Sequence, residues 1–334
     1  MGVKDVGCAP MGADLHQTRM ATAAEPPFHA EIEEVWGRPW GAHDEVGRLR
    51  MALVRPPGPA LDRIRADTWN PDLGALVDPD GGWYWTRREL PDRERAARQH
   101  EALVAALRDE GVEVVEAAPM GDTFTKAMYV RDPVITVPGG AIVLRMGVRM
   151  RRGEEAEITR TMAGAGLPIL ATLTGSATLE GGSFVKLRDG VAALGTSIRC
   201  NEAGAEQLRE ILARIGWRLI VVPLAGYTIH LDLHLAMLDT DLALVHTERL
   251  PFAFLSELER MGIELVRADP SEEWGLNLLT LSPRRVLMAA GSPQTAERLR
   301  DAGVEVLLVA YDELQNNGGG VHCSTMELIR DPAR

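Results

Sequence analysis

The sequence predicts an α/β protein in which five similar units close into a propeller-like ring. Three observations carry that expectation. One punctuation recurs: a helical pattern ends, a glycine follows, and a short apolar strand begins, at Gly111, Gly166, Gly216, Gly262 and Gly303. These glycines lie 55, 50, 46 and 41 residues apart. Between each glycine-led strand and the next helix the sequence fits further short strands, so each unit has about three strands and one helix. A period of that length marks repeat and ring architectures. A doubly wound sheet shares the helix–glycine–strand join but does not call for several strands per period.

The elements follow in chain order. Residues 1–45 mix Met, Ala, Pro and His without sustained periodicity and read as a partly mobile N-terminal extension. Residues 46–334 read as a single α/β domain. Its first strand, 48–55, stops at Pro56-Pro57, because proline cannot donate to a sheet ladder. A loop-rich stretch follows through Asn70, Pro71 and the 78–82 turn, where Trp83 and Trp85 fit either an aromatic lid or ordinary packing. Residues 92–110 form a helix with Ala96, Leu103, Val104 and Leu107 as its apolar stripe. Short strands are expected at 141–145, 183–187, 191–195, 236–238 and 242–245. Leu208, Ile211, Leu212 and Ile215 share one helix face, and another helix starts near Pro251 and buries Leu255, Leu258 and Met261. Ser292 followed by Pro293 gives a start signal for the last of these helices.

Composition narrows the function classes. The 334 residues are 46% hydrophobic and 25% charged, an ordinary globular balance. Asp and Glu number 48 against 36 Lys and Arg, for a formal charge of −12. That argues against a broad nucleic-acid or anionic-membrane footprint. No run of about 18 apolar residues suggests a membrane span. The start of the chain lacks the basic-then-apolar pattern of a secretory leader, so the expected location is the cytoplasm. A homo-oligomer is compatible with all of this. The three cysteines, Cys8, Cys200 and Cys323, include no CxxC pair, which disfavours a disulfide framework or a thiolate zinc cluster.

Four segments carry chemistry. Cys323 follows Gly318-Gly319-Gly320-Val321-His322, and such glycines allow tight backbone paths close to a ligand. A buried structural thiol is the plain alternative. His230-Leu231-Asp232, read as a strand, puts an imidazole and a carboxylate on one face. His234 extends this to a spacing seen among metal ligands, but no distant cluster completes it, and no metal is expected. Glu180-Gly181-Gly182 reads as a turn, and Arg131-Asp132-Pro133 as a turn with a surface ion pair. Taken together, one Cys, one His and three carboxylates match the requirements of a guanidinium. Its planar donors need carboxylates, its carbon needs a nucleophile, and its departing amine needs a proton.

That ordered set resembles the guanidine-modifying superfamily, the penteins, which includes arginine deiminase, dimethylarginine dimethylaminohydrolase and the amidinotransferases. The resemblance runs from about Arg48 to the C-terminus and implies a five-bladed α/β propeller with a central active site. It implies Cys323 as nucleophile, His230 as general acid and then base, and Glu180 as partner of His230. It also implies Asp132 and Asp232 as guanidinium ligands, with Arg199 and Arg145 holding a substrate carboxylate. The implied substrate is arginine or a small arginine-like guanidino compound, and no cofactor is needed. Amidino transfer to an amine and a noncatalytic binding role are the competing implications. Two departures bear on the substrate: Ser183 stands where deiminases carry an acidic residue after Glu-Gly-Gly, and Asn316-Asn317 stand where they tend to carry an arginine. Cys200 reads as structural, Cys8 as incidental, and His322 as packing or polarising the cysteine loop.

Overall fold

All five punctuating glycines adopt the left-handed backbone their position predicts, with φ of 77° at Gly111, 89° at Gly166, 76° at Gly216, 78° at Gly262 and 77° at Gly303. A Cβ disfavours that conformation, so the helix ends are written into the sequence. A computed structural model describes residues 25–333. Cys8 and most of the N-terminal extension lie outside the described residues.

Each unit is a three-stranded blade in which an outer strand runs parallel, and an inner strand antiparallel, to the middle one. The second blade comprises Val134–Val137, Gly140–Val143, the helix Glu154–Ala165 and Ile169–Thr172. The third comprises Phe184–Arg188, Val191–Thr196, the helix Glu202–Ala213 and Arg218–Pro223. The fourth comprises Leu235–Asp239, Leu242–Val245, the helix Phe252–Arg260 and Glu264–Arg267. The fifth comprises Leu279–Ser282, Arg285–Ala289, the helix Pro293–Asp301 and Glu305–Val309. The first blade joins both ends of the chain: Met326–Arg330 pairs antiparallel with Leu49–Val54, which pairs parallel with Glu113–Glu116. This closes a five-bladed α/β propeller.

The helix expected at 92–110 spans Arg93–Asp109, and the Asp92 side chain accepts from the Arg95 N–H as its N-cap. Ser292 stands at the N-cap of Pro293–Asp301 but makes no side-chain cap. The Glu272 carboxylate does that work instead, accepting from the N–H groups of Gln294 and Thr295 at 2.9 and 2.8 Å. Within the stretch read as loop-rich, Trp69–Asn70, Ala75–Val77 and Tyr84–Trp85 form a small sixth sheet. Strands of two or three residues give no periodicity to read.

Four of the inner strands carry buried polar side chains, Thr136, Lys186, Thr280, Glu327 and Arg330. Lys186 contacts Glu327 at 2.5 Å and Glu45 at 3.0 Å, and Arg131 pairs with Glu327 at 2.8 Å. Arg131 therefore serves a buried ion pair, not the surface pair its turn suggested. Burial pushes the Glu327 carboxyl up, but Arg131, Lys186 and Arg330 hold it well below the usual carboxylate range. Its stabilising contribution is present above the ordinary carboxylate range and lost as pH falls. Replacing Glu327 with alanine strands the buried Arg131 and leaves Lys186 with Glu45 alone, so chemical denaturation should show a loss of about 3–5 kcal/mol.

Candidate active site

The propeller brings the same loop of every unit to one end of its axis. The segment just before each inner strand carries a polar residue: Asp132 before Val134, Glu180 before Phe184, Asp232 before Leu235, Asn277 before Leu279 and Cys323 before Met326. Five residues scattered over nearly 200 positions thus meet because they occupy equivalent places in five repeats.

His230 Nε2 lies 2.9 Å from Glu180 Oε2 and 3.7 Å from Asp132 Oδ1. Glu180 Oε1 accepts from the backbone N–H groups of Gly147 and Val148 at 3.0 and 3.2 Å, and Arg199 donates to both carboxylate oxygens at 3.2 Å. Asp132 is held by the Arg151 guanidinium, which also grips Glu154 through two bonds of 2.8 and 2.7 Å. Asp232 Oδ2 pairs with His322 Nδ1 at 2.9 Å, while Asp232 Oδ1 is buried with no hydrogen-bond partner. Asn277 supports the cysteine loop: its amide donates to Cys323 Sγ at 2.9 Å, and its carbonyl accepts from the N–H of His322 at 2.9 Å.

The expected strand at His230-Leu231-Asp232 is a loop, entering the strand Leu235–Asp239. The two side chains approach each other through tight packing over Gly182, not through strand alternation. A Cβ on Gly182 would lie 2.6 Å from His230 Nδ1 and 3.0 Å from Asp232 Oδ1. Of the three glycines before Cys323 only Gly318 has a left-handed φ, of 86°. Gly319 and Gly320 are required by space, since a Cβ would meet the Tyr129 ring at 2.5 Å and Asn277 Oδ1 at 2.5 Å.

The electrostatics follow from burial among carboxylates. Burial disfavours the His230 imidazolium, yet Asp132, Glu180 and Asp232 outweigh it and raise its pKa to about 9. Burial, then the charges of Asp232 and Asp132, push the Cys323 thiol up to about 12, against a smaller stabilisation from Gly320 and Asn277. Burial raises Glu180, but its bond to His230 and the charges of His230, Arg199 and Arg151 hold it well below the usual range. The centre therefore holds a protonated imidazole and a neutral thiol beside the ionised carboxylates of Glu180 and Asp232. The oxygens of Asp132, Glu180 and the ring of His230 cluster closely enough to suggest a metal. Their lone pairs already serve Arg151, Arg199 and backbone N–H groups, an arrangement suited to organic cations.

Beside this cluster opens a cavity of about 460 Å³, whose wall includes Arg199, Arg151 and Lys126 and whose cover includes Val77 and Tyr84 of the sixth sheet with the adjoining Trp83. Of the two tryptophans considered for a lid, Trp83 borders the cavity, whereas Trp85 is fully buried and donates to the Glu89 carbonyl. Arg145 donates to the Ala177 carbonyl at 3.1 Å and lies outside the residues lining the cavity. Cys200 is buried in the apolar core. Sequence reasoning missed Arg151, Asn277, Lys126 and Tyr84. Asn277 was findable from the repeat, as the fifth residue in equivalent position.

Comparison with known proteins decides the family. The family model for eukaryotic N,N dimethylarginine dimethylhydrolase matches residues 84–330. The chain belongs to this family. The dimethylarginine dimethylaminohydrolase of Streptomyces coelicolor is 29% identical over 84% of this chain and 97% of its own length. That of Pseudomonas aeruginosa is 30% identical over 71% of this chain and 89% of its own. A solved structure of the Pseudomonas aeruginosa enzyme, a cysteine-to-serine mutant complexed with citrulline, matches with a TM-score of 0.68 and 26% identity, covering 84% of this chain and all of that one. Membership in the dimethylarginine dimethylhydrolase family places the chain in the guanidino-modifying superfamily, whose chemistry is hydrolysis or transfer at guanidino C–N bonds of small molecules. No helix among the described residues is long and apolar enough to cross a membrane.

Proposed function

We propose that the chain hydrolyses the guanidinium group of arginine or a small arginine-like compound, with Cys323 as covalent nucleophile. The observation that carries this reading is the unpaired, buried Oδ1 of Asp232 beside the cysteine loop. A buried carboxylate oxygen without a donor is costly, and a guanidinium N–H is the donor that fits it. Asp132 offers a second carboxylate to the same planar cation. The assignment places this activity in residues 46–334 as one catalytic domain.

Binding of the cation offsets the carboxylate charges that keep the Cys323 thiol protonated, so the thiol proton is lost to solvent as substrate enters. The thiolate then forms a C–S bond to the guanidinium carbon. The C–N bond to ammonia or an alkylamine breaks, and His230 gives that nitrogen its proton. A thiouronium remains on Cys323. His230, now neutral, takes a proton from water as the oxygen adds. The C–S bond breaks, returning Cys323 and releasing a urea-type product. Glu180 orients His230 and stabilises its charged form. Arg199, which lines the cavity, receives the far end of the substrate, and Arg145, expected as a second ligand, is not assigned that role because it lies outside the lining.

Incubation with a panel of guanidino compounds in ¹⁸O-labelled water, with and without amine acceptors, tests this. One labelled oxygen in the urea-type product is expected. An amidino group on the added amine, with no label in product, would replace hydrolysis by amidinotransfer. Absence of turnover across the panel would favour a binding role.

A further inference from the structure

The cavity wall carries one cationic group that this chemistry leaves unused. Lys126 is half-buried where the cavity meets the cysteine loop. Its ammonium donates to the Asn317 carbonyl at 2.5 Å and sits 3.8 Å from the centre of the Tyr84 ring. An ammonium has three N–H groups. A carbonyl and an aromatic face account for two, and no carboxylate pairs with it among the described residues. Its two cationic neighbours in the wall are differently placed: Arg151 is spent on Asp132 and Glu154, and Arg199 shares its charge with Glu180. Against these cations the cavity lining offers one carboxylate, Glu273, which is exposed to solvent.

We propose that Lys126 selects the substrate's tail, receiving a carboxylate and repelling a free ammonium, so that the preferred substrates are guanidino acids lacking a charged α-amine. This rests on the guanidine-hydrolysing reading above and narrows its substrate class. With the cationic head on the carboxylates Asp132 and Asp232, the positive charges of Lys126 and Arg199 in the cavity wall face the rest of the substrate. A partly buried ammonium facing a like charge loses the screening that would make the contact tolerable at a surface. Burial, then the charges of Arg151 and Arg199, lower the Lys126 ammonium to about 7, with Asp132 and Cys323 acting in the opposite sense. Its charge in the free protein is therefore complete in mildly acidic solution and lost as pH rises through neutrality.

The test compares kcat/KM for 4-guanidinobutyrate, L-arginine and n-butylguanidine in the wild type, Lys126→Met and Lys126→Arg. The wild type should favour guanidinobutyrate over both others. Lys126→Met should lower the guanidinobutyrate-to-butylguanidine ratio about tenfold or more, mainly through KM, because a charge-assisted hydrogen bond is lost. Lys126→Arg should keep the ratio and remove its decline between about pH 6 and pH 8. Equal losses on all three compounds in Lys126→Met, with an unchanged denaturation midpoint, would mean that Lys126 only anchors the cysteine loop. A ratio unmoved by either substitution overturns the proposal as well. Failure of the wild type on all three compounds and on methylated arginines is a different pattern, and it rejects the guanidine-hydrolysing reading along with this one.

Discussion

Replacing Cys323 with alanine is expected to lower kcat by about 10⁴-fold or more, because the proposed covalent route has no substitute nucleophile. Glu180 and the other buried carboxylates would still surround the guanidinium, but no other described thiol is near, because Cys200 lies in the apolar core. Steady-state kinetics on purified variants, with binding of the same guanidine followed by calorimetry, separates the two effects. Binding should persist, since Asp132 and Asp232 are untouched. Retention of turnover within tenfold of wild type would remove Cys323 from the mechanism.

The second large effect belongs to His230. Its pKa near 9 keeps it protonated through neutral pH, as the departing amine requires. The sign is fixed by the role: kcat, which reports the substrate-bound enzyme, should fall as pH rises past about 9, where the proton is lost. On the acid side the rate should rise with pH as the thiol of the bound complex ionises, giving a bell. His230→Gln should cost about 10²–10⁴-fold and abolish the alkaline limb. A wild-type profile flat from pH 7 to pH 10 would contradict the acid role.

Much of this was legible before any coordinates. The five glycines mark the repeat because φ between 76° and 89° is costly for a residue with a Cβ, and that signal survives in sequence. Cys323, His230, Glu180, Asp132 and Asp232 are singled out by their chemistry and a family resemblance, and the fold gathers them at one end of the propeller axis. What escaped the sequence depends on contacts across the ring. Arg151 meets Asp132 from the segment before a helix, and Asn277 reaches Cys323 across 46 positions. Lys126 lies in a turn-rich segment with no periodicity, and only the Asn317 carbonyl and Tyr84 ring give it a place. The strand expected at His230 failed because packing over Gly182, not alternation, brings its side chain to Asp232.

The most direct measurement is the mass of Cys323 during turnover. Wild-type protein is mixed with a guanidino substrate, quenched in acid within milliseconds to seconds, digested and analysed by mass spectrometry. The account predicts a transient mass gain on the Cys323 peptide, equal to the substrate less its departing amine, and more of it in His230→Gln if water attack becomes limiting. Steady turnover with no adduct in either protein at any quench time, or an adduct on another residue, would contradict it.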